Sequence, residues 1–104
     1  MTDREMLEFA AKAAGEWPSP EPFEHVLDRW NPLTDDGDAL RLAVKRGMEV
    51  NIDWAKLCVR VWDGTGEYYY EQLSTDSINC DIEPYAATRR AIVRAAAEIG
   101  RNMT

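Results

Sequence analysis

KLCVRVWDGTGEYYYEQL, residues 56–73, decides the fold. Its first part alternates, with Leu57, Val59 and Val61 on one side and Cys58, Arg60 and Trp62 on the other, the period of two of a strand. Asp63-Gly64-Thr65-Gly66 follows. Two glycines that accept positive φ make it a strong hairpin turn. Glu67–Leu73 resumes as a strand with three tyrosines in a row. Upstream, MEVNID (48–53) places Met48, Val50 and Ile52 on one face and connects through Asp53–Lys56. Three successive strands with short connections read as an antiparallel meander.

Helical patterns flank it. DREMLEFAAKAA (3–14) has Asp3 and Glu5 in its first turn, Met6, Leu7, Ala10, Ala13 and Ala14 on one side, Thr2 as cap and Gly15 as stop. In TDDGDALRLAVKRG (34–47), Thr34 or Asp35 caps and acids crowd the start. Lys45 and Arg46 lie at the end, Gly47 fits beyond it, and Leu40, Ala43, Val44 and Ala39 are expected as the buried stripe. Residues 84–102 give a last helix, with Pro84 in its first turn and Tyr85, Ile92, Ala96 and Ile99 on one face beside Val93. Between the first two helices, Pro18, Pro20 and Pro22 predict an irregular arm over 16–33 with a short strand near His25–Arg29. Trp17, Phe23, Val26, Leu27 and Trp30 hold that arm to the core. The expected fold is α+β, one domain over 1–104, with a small three-stranded antiparallel sheet packed with three helices in the order α-arm-α-β-β-β-α.

The chain has 104 residues with 12 Lys+Arg and 19 Asp+Glu, a net charge of −7. That length holds one core. The charge disfavours a generic nucleic-acid binder. No apolar run approaches the roughly 20 residues of a membrane span. The start, MTDREMLEF, has acids where a signal peptide needs basic and then apolar residues, so export is not expected. Cys58 sits in an apolar run and Cys80 in a polar one. No CxxC spacing exists, a disulfide between the two is disfavoured without a secretory signal, and one His with two Cys does not complete a zinc set.

Chemistry-bearing patterns are sparse. Asp35-Asp36-Gly37-Asp38 fails as a calcium loop, because position 3 is Gly37 and position 12 is Arg46. Carboxylates at a helix start explain it better. His25 has no nucleophile motif near it, and GxSxG, HExxH, P-loop and GxGxxG patterns are absent. DGTG joins two strands and so is a turn rather than a phosphate loop. No enzyme, cofactor or metal is expected. Alternation puts Tyr69 on one sheet face and Tyr68 and Tyr70 on the other, so an aromatic patch is available to a partner. Residues 63–83 hold six acids (Asp63, Glu67, Glu71, Asp76, Asp81 and Glu83) and no Lys or Arg, whereas 84–104 hold four Arg and one Glu. The acids form either a solvated edge or a face for a basic partner. The arginines either pair with the protein's own acids or touch nucleic acid.

WNPLTDDGDALRLAVK (30–45) and PYAATRRAIVRAA (84–96), with the opening MTDREMLEFAAKAAG, resemble small proteins of tailed phages and prophages of Gram-negative bacteria, the group with a phage α/β/α-sandwich-like domain. The resemblance covers about half of the chain and leaves 48–83 outside. It implies a phage accessory protein in the host cytoplasm. It implies no reaction and supplies no catalytic residues. Trp30 and Asn31-Pro32 lead the arm into a helix, so the first block reads as a fold signature.

The expectation is a non-enzymatic phage-encoded accessory protein that binds a host or defence protein, an anti-defence inhibitor being one form of it. Its binding residues would be Trp62, Glu67, Tyr69, Tyr70, Glu71, Asp76 and Asp81, with no nucleic acid and no membrane as partner. The alternative is a structural or assembly component of the phage particle acting as a homo-oligomer.

Overall fold

The computed structural model describes residues 1–72 and 83–103. Along them run α1 (Asp3–Ala14), α2 (Phe23–Arg29), α3 (Asp36–Lys45), β1 (Glu49–Asp53), β2 (Cys58–Trp62), β3 (Tyr68–Gln72) and α4 (Glu83–Arg101). The strands pair antiparallel in the order β1-β2-β3. The domain is therefore α+β with a meander sheet.

α1 starts at a capping box. Thr2 Oγ1 accepts the Glu5 N–H at 3.1 Å and Glu5 Oε1 accepts the Thr2 N–H at 3.2 Å. Gly15 ends it at φ 79°, and Lys45 Nζ donates to the Ala14 carbonyl. Its buried face is Met6, Leu7 and four alanines, and α1 packs along α4. The two helices run in the same direction. Asp3 meets Arg90 at 3.2 Å towards one end, and the Phe9 backbone meets Gly100 towards the other. A Cβ on Gly100 would stand 1.8 Å from the Phe9 carbonyl oxygen, so only glycine permits this approach.

The arm departs from expectation. His25–Arg29 is not a strand but most of α2, which makes a fourth helix. Its N-cap Pro22 is extended at φ −58°, ψ 148°, so the prolines stop where the helix starts. Phe23, Val26, Leu27 and Trp30 recur at the helical spacing, and Phe23, Val26 and Trp30 are buried. Trp17 meets Phe23 edge-on at 5.1 Å.

The α3 stripe is also corrected. Ala39 and Ala43 are buried as expected, but Leu42 joins them, whereas Leu40 and Val44 are 63% and 73% exposed. Polar bonds at the helix start set this rotation. Asp35 caps α3 by accepting the Asp38 N–H at 2.8 Å, and Asp38 turns inward to accept the Asn31 N–H at 2.9 Å. With Asp38 inward, positions 39, 42 and 43 follow it and 40 and 44 turn out. Tyr85 on α4, expected in the buried face, is likewise exposed.

Val59 and Val61 of β2 are fully buried beneath α4. The register places Val50, Val61 and Tyr69 in one row on that side, and Ile52, Val59 and Glu71 in the next. The opposite side carries the rows Glu49, Trp62, Tyr68 and Asn51, Arg60, Tyr70. Among the described residues no helix covers this second face.

Candidate functional site

The second hairpin sets the open face. Asp63 is buried, and its Oδ1 accepts the Thr65 N–H and Oγ1–H, each at 2.7 Å, and the Glu67 N–H at 3.3 Å. Burial pushes the Asp63 carboxyl up, but these hydrogen bonds outweigh it and hold it below the usual carboxylate range. Gly64 and Gly66 take φ 87° and 114° around Thr65. The turn fixes Trp62 opposite Tyr68 and Arg60 opposite Tyr70.

On that face the Tyr68 and Tyr70 rings lie 6.4 Å apart, half-exposed at 50% and 54%. Arg60 places its guanidinium 5.5 Å from the Tyr68 ring centre, and Trp62 is half-buried beside them. The result is an aromatic surface with one cation on a three-stranded sheet. Such a surface presents large apolar area at small ordering cost and suits a protein partner.

The expected binding residues divide between the two faces. Trp62 and Tyr70 stand together on the open face, joined by Tyr68 and Arg60, which the expectation had not singled out for binding. Glu67 is exposed at the hairpin end. Tyr69 and Glu71 point to the helix side. Tyr69 packs against the core, where burial first, then the charge of Asp63, raises its hydroxyl above the ordinary range. Glu71 lies 3.0 Å from Arg94 and 3.5 Å from Arg90. Asp76 and Asp81 lie outside the described residues. Asp63, counted among the surface acids, is spent as a turn cap.

The arginines of α4 are engaged internally. Arg89 donates to the Leu33 carbonyl at 2.8 Å and to Asp36 at 2.6 Å. Arg94 donates to the Tyr70 carbonyl at 2.9 Å as well as to Glu71. A cleft of about 370 Å³ between α1, β3 and α4 is lined by Tyr69, Glu71, Arg90, Arg94 and Glu98, so its charges already oppose one another. His25 is exposed on α2. Among the described residues no three His, Cys, Asp or Glu side chains converge as a metal set, and no helix is long and apolar enough to cross a membrane.

A second surface escaped the reading of the sequence. Leu40, Val50, Ile52 and Tyr85 surround an apolar groove of about 360 Å³ between α3, β1 and α4. Periodicity places Leu40 in the buried stripe of α3, Tyr85 on the apolar face of α4, and Val50 and Ile52 together on one face of β1. The signal against Leu40 is Leu42, which offers Ala39 and Ala43 another apolar neighbour on the same helix.

Comparison with protein-family models, with curated proteins and with solved structures gave no match.

Proposed function

We propose that this chain is a non-enzymatic protein-binding module that grips its partner through the open sheet face. The observation that carries the reading is the cluster of Trp62, Tyr68 and Tyr70, covered by no helix among the described residues, with Arg60 over Tyr68. Aromatic and arginine side chains on a rigid support are the groups that dominate protein interfaces. The engagement of Arg89, Arg90 and Arg94 with the protein's own carboxylates and carbonyls supports a protein rather than a nucleic acid as partner. A phage accessory role, with a host or defence protein bound, adds to this only the likeness of residues 30–45 and 84–96 to phage proteins. The polar side chains of WNPLTDDGD support its reading as a fold signature, since Asn31, Asp35, Asp36 and Asp38 all bond within the domain.

The test is capture of partners from a bacterial lysate by the intact protein and by a Tyr68→Ala/Tyr70→Ala variant, with circular dichroism to confirm folding. Partners kept by the protein and lost by the folded variant are expected. An unchanged set of partners sinks the open-face reading. Light scattering addresses the homo-oligomer: a mass that drops to 11.9 kDa only in the variant would assign the same face to self-association.

A further inference from the structure

Among the described residues β1 is an edge strand, and Glu49, Val50, Asn51 and Ile52 are all exposed. The phase of the ladder shows which backbone groups are unpaired there. Asp63 N–H donates to the Glu67 carbonyl at 3.1 Å, so these two form a hydrogen-bonded pair. Such pairs alternate along antiparallel strands. Val59 and Val61 therefore turn their backbone groups to β3, and Cys58, Arg60 and Trp62 turn theirs to β1. Their partners Asp53, Asn51 and Glu49 are thereby paired. The N–H and C=O groups of Val50 and Ile52 point out of the edge.

The same two residues direct their side chains into the apolar groove, 38% and 49% exposed, beside Leu40 and Tyr85. Free ladder groups next to a pocket for alternate side chains are the two components of strand addition. β1 carries no Pro, Lys or bulge, and its only charges, Glu49 and Asp53, lie on the sheet face away from the groove.

Charge selects the incoming strand. On its other face β1 presents Glu49 and Asp53, the latter accepting the Lys56 N–H of the following turn through one oxygen at 3.0 Å, and neither has an ion-pair partner among the described residues. A second β1 laid antiparallel about Asn51 would match Val50 with Ile52 but set Glu49 against Asp53 twice. Like charges directly opposite are destabilising. A strand with Lys or Arg at those places gains attraction where the self-pair meets repulsion.

We propose that β1 is a receptor edge for an extended segment of a partner protein that alternates apolar and basic residues. The apolar side chains enter the groove, the basic ones face Glu49 and Asp53, and the backbone pairs with Val50 and Ile52. Glu49 and Asp53 share a sheet face with Tyr68 and Tyr70, but those tyrosines stand on β3, two strands from the β1 edge.

The probe is a terminally blocked peptide alternating Val and Lys, titrated into the full chain while amide hydrogen exchange is followed by residue. Protection of the Val50 and Ile52 N–H groups is expected. Peptides with Glu in place of Lys, or Ser in place of Val, should bind about tenfold more weakly or worse, the loss of an ion pair or of buried apolar contacts. Val50→Pro removes an outward donor and leaves the β1–β2 ladder intact, so it should weaken binding by several-fold to about tenfold. Leu40→Ser, on an exposed helix position, should do the same through the groove and serves if Val50→Pro does not fold. Tyr68→Ala/Tyr70→Ala should leave peptide binding unchanged, which separates this edge from the open face. No binding, binding without protection of those two amides, or equal affinity for the Lys and Glu peptides overturns the proposal. So does a dimer in which both amides are already protected without peptide, since a second copy then holds the edge.

Discussion

The Asp38 carboxylate accepts the backbone N–H of Asn31 at 2.9 Å, seven residues back along the chain. Its other oxygen takes Arg41 at 2.6 Å, and its own N–H is held by Asp35. This small network joins the end of the arm to the start of α3. Asp38→Ala leaves the Asn31 N–H without its partner and should cost about 1–3 kcal/mol in chemical denaturation. Arg41 is 72% exposed, so Arg41→Ala should cost under about 1 kcal/mol. Equal losses from the two would mean that the ion pair, not the Asn31 bond, stabilises the junction.

Gly100→Ala should be unusually damaging for so small a change. The added methyl meets a carbonyl oxygen of another helix, not a flexible side chain. Either α1 or α4 must move, and a loss of about 1–3 kcal/mol or more is expected. An unchanged Tm would show that the helices are farther apart.

Trp30→Ala should remove about 3–5 kcal/mol, because the indole is 8% exposed among the buried residues of the core. A loss below about 1 kcal/mol would place the ring in solvent instead.

Tyrosines on the two sheet faces should behave oppositely. Tyr68→Ala and Tyr70→Ala remove half-exposed rings and should each cost at most about 1 kcal/mol. Tyr69→Ala empties a place against the core and should cost about 2 kcal/mol or more. Denaturation curves that rank them the other way would reverse the assignment of faces.

Asp63 predicts a pH dependence whose sign follows from its hydrogen bonds. Its folded carboxyl titrates below its unfolded value. The stabilisation is therefore complete above the ordinary Asp range, about 3.9, and is lost as pH falls through the folded value. Denaturation midpoints in an acid series should fall less steeply for Asp63→Asn than for the parent protein. Identical acid limbs would mean that another carboxyl carries the effect.

The sheet was legible because Val59 and Val61 alternate strictly and the DGTG turn admits one connection. α1 was legible because its cap, acidic first turn and Gly15 agree. α3 was legible in extent but not in rotation. Ala39 and Ala43 are buried as expected, but either Leu40 and Val44 or Leu42 can complete their stripe, and a polar bond from Asp38 chooses between them. The same ambiguity hid the groove. α2 was missed because three prolines outweighed the i, i+3, i+4 spacing of Phe23, Val26 and Leu27. The aromatic face was half legible: alternation separates Tyr69 from Tyr68 and Tyr70, but it does not say which side the helices take. Local signals also do not reveal that Asp63 is consumed by its own turn, or that Glu71 lies between two arginines of α4.

The parallel pairing of α1 and α4 has a consequence for synthesis. α1 is the first of these elements to leave the ribosome and α4 the last. The meander and the Asp38 junction can close from neighbouring segments as they emerge. The face of Met6, Leu7 and the alanines cannot, because its cover is the far helix. At roughly 5–20 residues per second, the intervening stretch of about 70 residues takes several seconds to make. For that interval the nascent chain carries an uncovered apolar helix, and its solubility depends on what shields that helix until α4 arrives.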